Sequence, residues 1–149
     1  MFGYTAGMIF LTDRKTADER VKSLLTEHAI RPTNQRMQIA GELLSKPQHL
    51  SADQVMARVN KKETLVSKAT VYNTLNLFAE KGLIRQVIID SGKVFYDSNT
   101  DSHHHIYNED TGQLHDVEAS RVTLEKNPEL PANTVKTGID IIIRVKNSR

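Results

Sequence analysis

Between Asp97 and Asp116 the chain reads DSNTDSHHHIYNEDTGQLHD, and four of its six histidines lie there: His103, His104, His105 and His115. Asp97, Asp101, Glu109, Asp110 and Asp116 share the stretch, and Glu118 follows. Imidazole nitrogens beside carboxylate oxygens suit a divalent first-row metal such as iron, manganese or zinc. Structural calcium sites, by contrast, are mostly all oxygen. Side chains alternate faces along a strand, so His103 and His105 point one way and His104 the other. Glu109-Asp110-Thr111-Gly112 has the make-up of a four-residue hairpin loop, with Gly112 supplying the positive φ. If Asn108 faces Gln113, then His105 faces Asp116. His103, His105 and Asp116 then share one surface, and His104 and His115 share the other. The register favours a metal site over a polar strand whose histidines meet water.

The elements around that hairpin must position it. One hundred and forty-nine residues allow one domain, or two small ones sharing a core. Residues 1–95 hold 14 Lys/Arg against 9 Asp/Glu, while residues 96–149 hold 6 against 9. A basic first part suggests a polyanionic partner, and an acidic, histidine-rich second part suggests a cation. There is no cysteine, which excludes disulfides, thiolate zinc, Fe–S clusters and a cysteine nucleophile. That composition fits a cytoplasmic protein. The opening MFGYTAGMIFL lacks the basic flank and length of a signal peptide or membrane span. It reads as a loose tail, or as sequence upstream of a start at Met8.

Thr16-x-x-Glu19 has the form of a capping box, and Ala17, Val21, Leu24, Leu25 and His28 then keep helical spacing to about Ala29. Arg31-Pro32-Thr33 ends that helix and starts a second, with Met37, Ala40, Leu43 and Leu44 inward and Pro47 closing it. Ser51-x-x-Gln54 caps a third, with Leu50 able to staple onto Val55. Ser67 caps a fourth that Gly82 stops, with Val71, Leu75, Phe78 and Ala79 as its buried stripe. Its other face offers Lys68, Thr70, Tyr72, Asn73 and Asn76, which can meet base edges and phosphates. Ile84–Asp90 and Lys93–Asp97 make a hairpin around Ser91-Gly92.

Three helices, a polar-faced fourth and a hairpin predict a winged helix-turn-helix whose fourth helix enters the major groove. Beyond the His-rich hairpin, Ser120–Asn127 is expected to form a short helix and Ile139–Val145 a strand beside the hairpin. About fifty residues can hardly hold a core alone, so pairing with a second copy is expected. A two-fold dimer would also present two reading helices about one DNA turn apart. The fold class is therefore α+β: an N-terminal winged helix-turn-helix followed by a small α/β dimerisation domain. The expected divisions are a flexible tail at 1–15, a DNA-binding domain at 16–97, and a dimerisation and metal-sensing domain at 98–149.

With these pieces in place, the chain resembles the ferric uptake regulator family of bacterial metal-dependent repressors. The likeness rests on RPTNQR (31–36), HLSADQV (49–55), ATVYNTLN (69–76), GLIRQV (82–87) and VFYDSN…HHHIY (94–107). It is nearest to the iron response regulator branch, with the peroxide-sensing branch next. The resemblance implies a regulatory Fe²⁺ or Mn²⁺ (or Zn²⁺ as purified) held by His49, Asp97, His103, His105 and Asp116. It also implies base contacts from Tyr72 and Asn73, with Thr70 and Asn76 near, and Arg31 entering an A/T-rich minor groove. The implied partners are an A/T-rich palindromic operator in double-stranded DNA and a second copy of the chain, with no membrane. Many members hold a structural zinc through Cys-x-x-Cys pairs. Here Asn108 and Thr111 stand at the first pair, so no Cys-based zinc is expected. In the iron response branch the histidine run is implicated in haem binding, which makes His104, with His115 nearby, a candidate haem or second-metal ligand.

The function expected is a metal-dependent transcription regulator, a repressor, of iron homeostasis genes, and not an enzyme. A peroxide sensor using metal-catalysed histidine oxidation shares the same ligands. A metal-dependent hydrolase with Glu118 as base is the alternative from another class; it lacks a nucleophile motif and an open coordination position.

Overall fold

Helices form where apolar residues recur every three to four positions and a polar cap precedes them. The computed structural model describes residues 14–61 and 66–149, so most of the expected tail lies outside the described residues. The chain divides into two units, Met1–Asp101 and Ser102–Arg149.

In the N-terminal unit α1 spans Arg14–Glu27, which puts Thr16 inside the helix and not at the cap where the Thr16–Glu19 box was expected. Arg14 and Lys15 are good helix formers, and extending the helix through them wins over capping two residues later. α1 also stops short of Ala29, which takes a left-handed φ of 58°. Ile30 N–H then reaches back to the Leu25 carbonyl at 2.8 Å, closing the helix end. α2 (Asn34–Leu44) starts at Thr33, whose side chain accepts from Arg36 N–H. α3 (Ala52–Val59) carries the complete Ser51–Gln54 capping box. α4 (Lys68–Glu80) is capped by Ser67 accepting from Thr70 N–H. Leu25, Ile39, Leu43, Val55, Val71, Leu75 and Phe78, each 0% exposed, form the core these helices share.

β1 (His49–Leu50), β2 (Arg85–Asp90) and β3 (Lys93–Asp97) form one sheet in the order β1-β3-β2. β2 and β3 are the expected hairpin. β1 was not expected: two residues are too few for alternation to register. Its pairing with β3 sets His49 opposite Asp97 and Leu50 opposite Tyr96.

The C-terminal unit is a second three-stranded sheet, β5-β4-β6. β4 (His103–Asn108) and β5 (Leu114–Glu118) are antiparallel, with His105 opposite Asp116. Asn108 N–H bonds the Gln113 carbonyl at 2.9 Å, and Gly112, φ 74°, turns the loop. β6 is confined to Ile142–Val145 and runs parallel to β4. The helix expected over Ser120–Asn127 is reduced to a 3₁₀ turn at Ala119–Arg121. Adjacent β-branched Val122 and Thr123 disfavour a helix there, no side chain caps its start, and a segment of eight residues cannot offset helix nucleation without a buried face. Among the described residues no helix is long and apolar enough to cross a membrane.

Candidate metal centre and nucleic-acid face

β4 and β5 build the first group of donors. Because His105 pairs with Asp116 and His103 lies two residues along, all three side chains leave the same face. Nε2 of His103 and Nε2 of His105 each stand 3.3 Å from Oδ1 of Asp116. The two rings meet edge to face with centroids 4.5 Å apart. Both histidines are buried while Asp116 is exposed.

The second group belongs to the N-terminal unit. Nε2 of His49 is 3.3 Å from Oδ2 of Asp97, a carboxylate with no exposed surface. Asp97 uses its other oxygen to accept Asn99 N–H at 2.9 Å, which fixes the plane of the carboxylate. A clip around Gln48 aligns the two strands: Gln48 N–H donates to Ser98 Oγ (3.1 Å), and Ser98 N–H donates to the Gln48 carbonyl (3.2 Å). The Gln48 side chain closes α2 by donating to the Glu42 and Leu43 carbonyls and accepts from Arg58 Nη1. Sequence reasoning missed Gln48 and Ser98. They are 50 positions apart, and no local pattern joins them.

These separations can be set against two chemistries. A charge-assisted imidazole–carboxylate hydrogen bond settles near about 2.7–2.9 Å. Two ligands about 2.1 Å from one metal and at about 90–109° to each other lie roughly 3.0–3.4 Å apart. All three pairs sit at 3.3 Å, in the second range. The donors are nitrogen and oxygen with no sulfur, which fits Fe²⁺, Mn²⁺ or Zn²⁺.

His104 and His115 do share the opposite face, and they are unlike each other. His115 is exposed, whereas His104 is buried and its Nδ1 accepts the N–H of Ile141 at 3.2 Å. A neutral ring accepting at Nδ1 carries its proton on Nε2, leaving no lone pair there for iron. The haem or second-metal expectation at His104 therefore gains no support: this imidazole anchors the approach to β6 instead.

On α4, Tyr72, Asn73 and Asn76 form an exposed stripe beside the buried Val71, Thr74, Leu75 and Phe78. Lys68 Nζ lies 5.9 Å from the centre of the Tyr72 ring, a cation–π distance. Thr70 is half-buried, and its Oγ1 accepts from Ser67 at the start of the helix. Asn76 Oδ1 accepts the hydroxyl proton of Tyr96 at 3.0 Å. Burial pushes the Tyr96 phenol above its ordinary pKa, a hydrogen bond from Gln86 opposes this, and nearby Tyr72 adds to the rise. Arg31 is exposed just ahead of α2.

The comparisons with known proteins agree with this architecture. The model of the ferric uptake regulator family matches residues 27–139. The peroxide-responsive repressor PerR of Staphylococcus epidermidis is 31% identical over 99 residues, 66% of this chain and 65% of that protein. Its counterpart in Staphylococcus aureus strain Mu50 is 31% identical over 101 residues, 68% of each. The chain thus spans about two thirds of the length of these relatives. Among solved structures, the Pseudomonas aeruginosa ferric uptake regulator with manganese superposes with a TM-score of 0.64 at 23% identity, covering 86% of this chain and 98% of that one. The Francisella tularensis regulator with iron gives 0.64 at 21% identity, covering 79% and 92%. The chain belongs to the ferric uptake regulator family. Its class is that of the metal-dependent transcription regulators, with the mixed helix and sheet fold of that family.

Proposed function

We propose that this protein binds double-stranded DNA as a homodimer and that one divalent ion, Fe²⁺ or Mn²⁺ in the cell, sets its affinity. His103, His105 and Asp116 of the C-terminal sheet and His49 and Asp97 of the N-terminal unit would hold that ion. The observation that carries this reading is the recurrence of the 3.3 Å nitrogen–oxygen separation in all three pairs, a ligand-to-ligand spacing. Bound there, an ion would supply positive charge to the carboxylates of Asp97 and Asp116. Occupancy would then change DNA affinity by linkage, to the extent that the metal-bound form meets DNA better. Tyr72 and Asn73 read base edges, Thr70 and Asn76 lie beside them, Lys68 faces the backbone, and Arg31 enters an A/T-rich minor groove. The genes so controlled are those of iron homeostasis, in the cytoplasm.

The test is a titration of A/T-rich palindromic duplexes with metal-free and Mn²⁺-loaded protein. Loading is expected to raise affinity at least tenfold, and His103→Ala combined with His105→Ala is expected to abolish the gain. Equal affinity with and without metal overturns the reading.

The relatives named peroxide-responsive repressors favour a second reading, in which bound Fe²⁺ and peroxide oxidise a ligating histidine. Mass spectrometry after peroxide exposure separates the two. A one-oxygen gain on His49, His103 or His105 in iron-loaded but not manganese-loaded protein supports the sensor, and its absence leaves the iron-responsive regulator.

A further inference from the structure

A polar contact joins the wing to the reading helix within the N-terminal unit. Tyr96 lies on β3, the central strand, with Leu50 and Gln86 as its cross-strand neighbours. Only 2% of the residue is exposed. A buried hydroxyl is costly unless it is bonded, and this one donates to Oδ1 of Asn76 at 3.0 Å. Gln86 is its partner across β2 and β3, so the phenol stands between the wing and the helix. Asn76 is exposed on the same stripe of α4 as Tyr72 and Asn73.

A carboxamide offers an acceptor oxygen with two lone pairs and one two-proton donor, and the Tyr96 hydroxyl takes one of those lone pairs and turns the oxygen toward the wing. Reading adenine through N6 and N7 requires both at once, whereas guanine N7 and O6 or thymine O4 require only a donor. We infer that Tyr96 is a positioning residue that turns the Asn76 oxygen toward the wing and presents its NH₂ group to the major groove, directing it to acceptor atoms of guanine or thymine in preference to adenine. This rests on the DNA-reading function proposed above. It accounts for a tyrosine at a site where the ring is buried and a phenylalanine would fill the same space. It also places a determinant of base choice in the wing strand that ends at Asp97.

The experiment is selection from a random-sequence duplex library by the Mn²⁺-loaded full chain, comparing the native protein with Tyr96→Phe and Asn76→Ala. The native protein is expected to enrich a motif with guanine or thymine at one position of each half-site. Tyr96→Phe frees the Asn76 oxygen, so adenine enters at that position and discrimination there falls about five- to tenfold, the worth of one hydrogen bond. Asn76→Ala loses the preference at the same position, while Mn²⁺ affinity stays unchanged in both variants, which a general loosening of the fold would not allow. A Tyr96→Phe motif identical to the native one overturns the inference. So does an unchanged motif for Asn76→Ala, a surface variant that reports even if Tyr96→Phe is poorly folded. A native protein that enriches no motif at all overturns the DNA-reading function itself, and the inference with it.

Discussion

The two units bury opposite kinds of residue. The N-terminal unit packs leucine, isoleucine, valine and phenylalanine to full burial. In the C-terminal unit the buried residues, among those described, are His103, His104, His105 and Tyr107. Aliphatic burial stabilises whatever the solution holds, at roughly 25 cal/mol per Å² removed from water. Buried imidazoles carry no such dividend. Their burial is worth what they hydrogen-bond or hold, so on the proposed function the C-terminal unit depends on its ligand more than the N-terminal unit does. The N-terminal unit sets His49 and the fully buried Asp97 at the edge of its aliphatic core, so the contrast is one of proportion.

The sharpest way to break that contrast is to damage the aliphatic core. Phe78→Ala should cost about 3–5 kcal/mol, because the large ring is fully enclosed and the cavity cannot collapse. Denaturant melts followed by hydrogen exchange should show the loss at α2, α3 and α4 amides. If β4 and β5 amides lose protection equally, the units are one cooperative block and the contrast fails. Metal loading is the reciprocal probe. At about a hundredfold excess over its dissociation constant, Mn²⁺ should stabilise the folded chain by about 2.7 kcal/mol. The gain in exchange protection should concentrate at β4 and β5 and vanish in His105→Ala; protection spread evenly through the α2–α3 core would count against it. The smallest expected effect lies at the end of α1. Ala29 holds a φ of 58°, which glycine adopts without a Cβ penalty. Relief of that strain, offset by the freer unfolded glycine chain, leaves a net gain of at most about 1 kcal/mol for Ala29→Gly. Thermal melts check it, with Mn²⁺ affinity expected to be unchanged.

Much of this was legible locally. Ser51 with Gln54, Ser67 and Gly82 mark helix ends through contacts within four residues, so capping chemistry and apolar spacing together make the winged helix readable. The hairpin register followed from one loop, Asn108 to Gln113, and it carried His105 to Asp116 without further information. The misreadings share a cause. Thr16 and Ser120–Asn127 had local signals that neighbouring residues outweighed: good helix formers in one case, adjacent β-branched residues in the other. His49 was reached only through family resemblance, because its strand is two residues long and its partners lie about fifty positions away.

The sequence by itself determined the elements, the face on which His103, His105 and Asp116 meet, and the polar stripe of α4, since each depends on periodicity and turns only a few residues long. The tertiary structure decided what no short window contains: that His49 lies across from Asp97, that the Nδ1 of His104 is engaged by Ile141, and that Tyr96 holds the carboxamide of Asn76. Such contacts join residues 20 to 50 positions apart. They exist only after the apolar core has brought the strands and helices together, which is why local chemistry could not announce them.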